Sequence, residues 1–336
     1  LQPPAHRSPE AAQPLPLVTV ICVCYNQGRF VREALLSVAG QTYPNVELVI
    51  VDDGSTDDSV ARINAFLREF PGATFIPLWT NRGVCGAFNE GFRWSNGQFI
   101  IDLAADDVLL PDRVARQVEV FGKLDDSWGV VFTDAGLIDE ASRPIGPFYP
   151  RHPDGTLRKP VPSGDVYRHV LNGYFICTPT MMSRRAVYEA LGGYDESLSY
   201  EDFDFWVRSA RTYRYFFLDE VLTLKRRVAG AHSTQFYNRR HNPHLASTLE
   251  VCRKAYGLNR TAAEHEALAR SVRYYLRQAL FTENFGLARA YGELLGQATG
   301  LGPSDRLLLT LARYRVPLFS LYRRYLRRRF ATKPID

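Results

Sequence analysis

The sequence predicts an α/β fold, a mostly parallel sheet flanked by helices, followed by an α-helical C-terminal region. Three observations predict it. Apolar runs rich in β-branched residues alternate with segments of helical periodicity from residue 17 to residue 107. Polar residues follow the runs, with Tyr25-Asn26 after the first and Asp52-Asp53-Gly54 after the second. Strand signals then stop near residue 235, and Ala, Leu and Arg at helical spacing dominate to the end.

The elements follow in order. Residues 17–23 (LVTVICV) read as a buried strand. Residues 30–38 then place Val31, Leu35 and Val38 on one helical face. Residues 47–51 (ELVIV) are a second strand, ending in Asp52-Asp53-Gly54-Ser55-Thr56-Asp57, a turn that also offers helix caps. A helix with the apolar stripe Val60, Ile63, Phe66, Leu67 and Phe70 comes next. Residues 74–78 form a strand, 83–94 a helix and 99–103 a fourth strand. Such alternation implies right-handed crossovers, with ligands bound beyond the carboxyl ends of the strands.

Farther on, residues 111–124 read as a helix, 128–132 as a strand and 134–162 as a loop or hairpin. Short helices at 165–171, 184–191 and 202–213 surround strands near Met181 and Phe217. Residues 262–282 and 284–298 suit a helical hairpin. The last stretch carries Leu307, Leu311, Tyr314, Leu318, Leu321 and Tyr325 on one stripe, and Pro317 kinks or restarts it. Residues 1–16, with five prolines and no apolar core, read as a disordered leader. The body is expected to span 17–235, in halves 17–107 and 108–235, and the helical region 236–336.

Composition narrows the classes. With 336 residues, 46% hydrophobic and 23% charged, the chain is an ordinary globular one. The net charge of +5 comes from the tail, since residues 303–336 hold nine Lys or Arg against two Asp or Glu. A nucleic-acid partner is therefore not expected. Arg323, Arg324, Arg327, Arg328 and Arg329, interleaved with Tyr322, Tyr325, Leu326 and Phe330, suit an amphipathic helix on an anionic membrane surface. The alternative is a solvated helix packed on the body. The five cysteines form no CxxC pair and read as buried thiols. No run reaches the roughly 18 apolar residues of a membrane span. The expected location is cytoplasmic, with the tail as a peripheral contact to the inner face of the membrane.

The chemistry lies at the strand ends. The first strand leads to Tyr25, the second to Asp52-Asp53 and the fourth to Asp106-Asp107. In a parallel sheet these ends share one edge. Four carboxylates there repel one another and call for a cation or donors. A nucleotide diphosphate with Mn²⁺ or Mg²⁺ supplies a reason: the metal takes carboxylate and phosphate oxygens, and a base ring stacks on Tyr25. The plainer alternatives are a capped turn at 52–57 and a loop at 106–112. Asn81 and Arg82, at another strand end, suit a nucleotide contact or a simple turn.

The motifs then resemble family-2 glycosyltransferases with the GT-A, Rossmann-like fold. They are VTVICVCYN at 18–26, SVAGQTYPNVELVIV at 37–51, DDGSTD at 52–57, NRG at 81–83, NEG at 89–91, the stretch 97–107, GGYDE at 192–196 and Glu201-Asp202. The resemblance covers about residues 17–230 and implies inverting transfer from a nucleotide-diphosphate sugar of UDP, GDP or dTDP type to an acceptor hydroxyl. The expected acceptor is a glycan or lipid-linked one, in polysaccharide, glycolipid or cell-envelope glycan synthesis. It implies that Val23, Tyr25 and Asp53 line the nucleobase pocket beside Asp52. It makes 17–107 the nucleotide-binding half and 108–235 the acceptor half. Asp106 would face ribose or metal, and Asp107 would bind the metal. Ala104 stands where the family often has Asp, and Val23 and Cys24 replace the usual small polar or proline residues before Tyr25.

Asp202 is the candidate general base, because inverting displacement needs a carboxylate to take the acceptor proton. The alternative for Glu201, Asp202 and Asp204 is first-turn acids favoured by the helix dipole. Trp206, beside them, is expected either on a sugar face or in the core. His232 is a candidate metal ligand or phosphate contact, or a loop histidine without a role. Arg226 and Arg227 are read as phosphate-neutralising or as exposed strand-end charges. Two other functions compete. A sugar nucleotidyltransferase would carry a Gly-rich basic loop at 25–29, where one Gly and one Arg stand. A non-catalytic nucleotide-sugar or glycan-binding module would suit the missing carboxylate at Ala104.

Overall fold

The structure is a computed structural model that describes residues 14–228 and 237–330, the last four by backbone alone. One sheet holds β1 (Val18–Cys24), β2 (Val46–Asp52), β3 (Thr74–Pro77), β4 (Phe99–Ala104), β5 (Val108–Leu109), β6 (Trp128–Ile138), β7 (Pro144–Pro147), β8 (Met182–Arg184) and β9 (Arg214–Arg226). Their order is β3-β2-β1-β4-β8-β6-β9-β5, with β7 paired to β6. The β3-β2-β1-β4 part is parallel, as the alternation predicts. β8 is antiparallel to both β4 and β6, and β6 and β9 are again parallel.

The helices between these strands are α1 (Gly28–Ala39), α2 (Ser59–Glu69), α3 (Gly83–Trp94), α4 (Arg113–Phe121), α5 (Tyr167–Asn172), α6 (Arg185–Leu191) and α7 (Asp202–Ser209). Side chains alternate along β1 and so feed two cores. Val18, Val20, Cys22 and Cys24 pack with Val31, Leu35 and Ile63 from α1 and α2. Ile21 faces the other side, with Val49, Val51 and Phe88. Gly91 lets α3 lie close to that face: a Cβ there would come within 2.6 Å of Ile21 Cγ2. All five cysteines are buried free thiols.

Three expectations change. The strand expected at 128–132 runs on to Ile138, and the segment after it is a hairpin with β7. The polar residues that hid this extension, Thr133 and Asp134, are fully buried. Asp134 is satisfied there by the N–H groups of Ala135 and Tyr149 and by the Arg151 guanidinium at 2.7 Å. The strand near Phe217 is 13 residues long, and the two-residue β5 carried no sequence signal. The helix expected at 202–213 ends at Ser209.

The C-terminal helices are α8 (Pro243–Leu258), α9 (Ala262–Phe281), α10 (Phe285–Thr299), α11 (Pro303–Arg313) and α12 (Phe319–Phe330). The chain breaks helix between α11 and α12, around Pro317. Among the described residues no helix is long and apolar enough to cross a membrane. In α12, Tyr322 stacks on Phe281 and donates to Gln278 Oε1 at 2.7 Å, while Leu321 and Tyr325 stay exposed. The tail helix thus packs through Tyr322 and through Phe319, which lies under the Arg239 guanidinium, and leaves Leu321 and Tyr325 outward.

This region shares its core with the sheet. Leu245, Leu276 and Tyr291 belong to the same buried cluster as Phe203 and Trp206. Lys254 of α8 reaches Asp195 at 2.5 Å and Asp204 of α7 at 2.7 Å. Asp204 is buried and also takes Arg208 at 2.6 Å. Lys254→Met removes one of its two cations, and the remaining pair softens the loss. A destabilisation of about 1–2 kcal/mol is expected, measured as a lowered midpoint in urea unfolding. An unchanged midpoint would show that the bridge contributes nothing.

Candidate active site

The carboxyl edge of the sheet assembles the strand-end residues. In register, Cys24 lies beside Asp52 and Val23 beside Ala104. Backbone bonds carry this past the strand ends: Asp53 N–H donates to Cys24 O at 2.8 Å, and Ala105 N–H to Val23 O at 3.1 Å. The end of β1 therefore separates the Asp52-Asp53 turn from the Ala105-Asp107 turn, about 10 Å apart at two inter-strand spacings.

The first wall is rigid. Asn26, at φ 52°, takes the N–H groups of Thr56 and Asp57 on its side-chain oxygen, at 2.8 and 3.3 Å. Asp57 accepts Gly28 N–H at 3.0 Å, and Ser59 Oγ accepts Gln27 N–H at 3.0 Å. Much of the DDGSTD turn thus stitches two loops together. Gly54 has φ 73°, and a Cβ there would sit 2.9 Å from Asn81 N, so only glycine fits. Asp53 is buried and accepts Arg82 N–H at 2.7 Å. Burial pushes its carboxyl up, and the Arg82 and Gly83 N–H groups pull it back. Asn81 is committed to the turn through Asp53 O and Gly83 N–H. Arg82 pairs with Glu90 and Glu196. Asp52 Oδ2 accepts Ser55 N–H at 2.9 Å, whereas its buried Oδ1 has no partner among the described residues. Tyr25 is 44% exposed, and Val23 is half-buried.

The Asp106-Asp107 turn is clamped from both sides. The SVAGQTY motif supplies one clamp. Ser37 Oγ accepts Leu109 N–H at 3.0 Å, and Gln41 bonds Leu110 O and Val114 N–H at 2.9 and 3.0 Å. Arg226 supplies the other. Its N–H donates to Asp107 Oδ1 at 2.8 Å, its Nε to Asp106 O at 2.9 Å and its Nη2 to Glu33 at 2.6 Å. Arg226 is 4% exposed and fully engaged, so it is neither an exposed strand-end charge nor free to meet a phosphate. Burial and the neighbouring Asp106 carboxylate push Asp107 up to about 8. Burial raises Asp106 as well. Ala104 is exposed at the strand end, with no carboxylate to add.

The third wall is the N-terminus of α7. Asp202 is half-buried; it accepts Phe203 N–H at 2.6 Å and Thr178 Oγ1 at 3.3 Å. Burial pushes it up to about 6, against the pull of the Phe203 N–H. Glu201 is driven well above the usual carboxylate range by burial and by Asp202. Trp206 is 1% exposed, packed on Tyr174 with its indole N–H on Met181 Sδ at 3.3 Å. It has no face to offer a sugar. Asn89 holds this wall to α3 by bonding both N–H and O of Tyr194, at 2.9 and 2.8 Å. His232 lies outside the described residues.

Two residues were missed in the sequence. Lys225 of β9 sits where its charge favours ionised Asp106, Asp107, Glu201 and Asp202 alike, against the burial that raises each. Its signal was a lysine ending the apolar VLTL run. Asp102 lies inside β4, accepts Tyr194 OH at 2.9 Å and is pushed up to about 7 by burial. An Asp within a buried strand is rare enough to have marked it.

The Asp106-Asp107 pair fits a divalent cation. Two adjacent carboxylates, both raised by burial, lack enough local donors to stay charged at low cost. Among the described residues no set of three His, Cys, Asp or Glu forms a complete metal cage. Such a site suits an ion held by one or two carboxylates together with a ligand's phosphates.

Comparison with known proteins agrees with this frame. The chain is 29% identical over 221 residues to an uncharacterized glycosyltransferase of Rickettsia prowazekii, covering 65% of this chain and 66% of that one. Its fold matches S. aureus TarS 1–349 in complex with UDP, with a TM-score of 0.64 and 20% identity, over 92% of this chain and 91% of that one. It also matches the mannosyltransferase PcManGT from Pyrobaculum calidifontis, in complex with GDP-Man and Mn²⁺, at a TM-score of 0.53 and 19% identity, over 93% and 84%. The architecture is thus that of GT-A enzymes, with a helical region added. Residues 19–192, just over half of the chain, match glycosyl transferase family 2, and the chain belongs to that family.

Proposed function

We propose that the protein transfers a sugar from a nucleotide diphosphate to an acceptor hydroxyl by single inverting displacement. One observation carries this reading: the carboxylates at 52–53 and 106–107 follow the strands on either side of β1, and Lys225 acts on both the 106–107 pair and the 201–202 pair. Tyr25 stacks the nucleobase, and the Asp53 turn closes on its polar edge. Asp106 and Asp107 would hold Mn²⁺ or Mg²⁺ together with the donor's diphosphate. When bound, that ion stabilises the negative charge of the departing diphosphate. Asp202 takes the proton of the acceptor hydroxyl as it attacks the anomeric carbon. Lys225 keeps Asp202 ionised for this. Thr178 orients the Asp202 carboxylate.

The complexes of fold relatives with UDP and with GDP-Man support a nucleotide-sugar donor. An acceptor on a glycan or lipid carrier, and peripheral contact of α12 with an anionic membrane, complete the proposal. The exposed Ala104 favours a second reading, a binding module without turnover.

The deciding experiment is a thermal-shift panel of UDP, GDP and dTDP sugars with Mn²⁺ or Mg²⁺, followed by hydrolysis or transfer assays on the best ligand. A ligand of the folded state raises the melting temperature by mass action, worth about 2.7 kcal/mol at a hundredfold excess over Kd. A metal-dependent shift with turnover supports transfer. A shift without turnover on any glycan or polyprenyl-linked acceptor supports the module. No shift with any nucleotide sugar sinks both.

A further inference from the structure

The C-terminal helices enclose a second concave site. A cavity of about 580 Å³ opens between the start of α8, the α9–α10 turn and the end of α11. Arg240, His241, Arg289, Arg313 and Arg315 line it, and all five are exposed. Glu283 is the one acid among the lining residues, and it is already bridged to Arg239 and Arg240 at 2.7 and 3.0 Å. Cations from three chain segments therefore converge on a concavity whose only carboxylate is spent.

Helix ends bring these residues to the rim. Arg240, Glu283 and Arg315 have φ of 63°, 58° and 52°, three of the five non-glycine residues with positive φ among those described. Glu283 and Arg315 are the left-handed residues that end α9 and α11, where Asn284 N–H returns to Ala279 O at 2.8 Å and Val316 N–H to Leu311 O at 3.1 Å. The first turn of α10 adds Phe285, Gly286 and Leu287 to the lining, where backbone N–H groups lack intrahelical acceptors. The side chain of the preceding Asn284 makes no cap; its amide donates to Asn238 O and to Thr282.

We propose that this cavity binds a phosphodiester group, at an anion site separate from the donor's. Guanidinium groups approaching from three directions match the spread of phosphate oxygens better than the two coplanar oxygens of a carboxylate. The volume leaves room for a phosphate carried on a longer molecule. Its assignment to a phosphate-bearing acceptor rests on the transferase reading; the binding itself does not. The two sources of that phosphate are a soluble phosphodiester chain and a lipid headgroup.

The test uses the full chain. Isothermal titration with sn-glycero-3-phosphoglycerol probes the soluble diester, and co-sedimentation with phosphatidylglycerol against phosphatidylcholine vesicles probes the headgroup. The variants are Arg315→Gly, which keeps the left-handed backbone favourable, and Arg289→Gln on the surface of α10. Each is expected to weaken binding about tenfold, the size of one lost charge-assisted pair, in whichever arm the wild type binds. The melting temperature and the donor-induced thermal shift should stay as in the wild type. Loss in the first arm names a soluble diester, and loss in the second alone names the membrane. The proposal is overturned if the wild type binds neither probe, or if both variants bind like the wild type. It is likewise overturned if binding falls only in step with the melting temperature. A failed donor shift in the wild type with diester binding intact would sink the transferase reading and leave this site standing.

Discussion

Asp202→Asn is expected to lower the transfer rate by roughly 10²–10⁴-fold, the range of a general base, with donor affinity unchanged. The amide keeps the size of the carboxylate: its oxygen can still accept Phe203 N–H, and its NH2 then donates to Thr178 Oγ1, whose hydroxyl turns to accept. What it loses is basicity. Single-turnover transfer and equilibrium donor binding, measured on the same preparation, separate the two effects. Wild-type turnover in the variant would remove Asp202 from the mechanism. The pH profile supplies an internal check. Burial pushes Asp202 up to about 6, so the working, ionised form is lost below that point. Wild-type kcat/KM should fall as the pH drops through about 6. An acid limb that sits near pH 4 instead would mean that another group takes the proton.

Asp107→Asn is expected to weaken metal-supported donor binding by about 10–100-fold, as loss of a supporting metal contact does. Its stability should move the other way. A carboxyl whose folded pKa is raised stabilises the fold while protonated, and that contribution is lost as pH rises through the folded value. For Asp107 the window runs from about pH 4, its unfolded value, to about 8. Without divalent ions, the wild type should therefore lose melting temperature relative to the Asn variant across that window. Mn²⁺ should restore the wild type and leave the variant unmoved. Differential scanning calorimetry at pH 5 and 8.5, with and without Mn²⁺, reads this directly. Equal curves for both proteins at both pH values would show that Asp107 carries no buried charge.

The strand ends were readable because the code for a buried parallel strand is local. LVTVICV, ELVIV and FIIDL each declare themselves, and the polar residues after them then fall on one edge. The motifs around those ends were readable as a resemblance, but their purposes were not. Asn89 and Gln41 look like ordinary polar residues until Tyr194 and Leu110 arrive from far along the chain. Lys225 and Arg226 were hidden for the same reason. They are adjacent strand-end cations in sequence, yet one is turned to the acids and the other is locked under their backbone. Trp206 was left open between sugar face and core although a signal for the core existed. Phe203, Trp206 and Val207 follow helical spacing, which marks an inward stripe. The length of β6 was hidden because Thr133 and Asp134 break the apolar pattern, and their burial depends on Arg151 from the returning hairpin.

The bridge from Lys254 to Asp195 and Asp204, laid over a hydrophobic interior common to sheet and helices, limits how this chain can be recombined. A chimera cut near residue 240 would take Lys254 from both acids, leave Asp204 with Arg208 alone, and open a greasy seam on each fragment. Swapping the helical segment between relatives should therefore give insoluble protein unless α7 and the GGYDE turn travel with it.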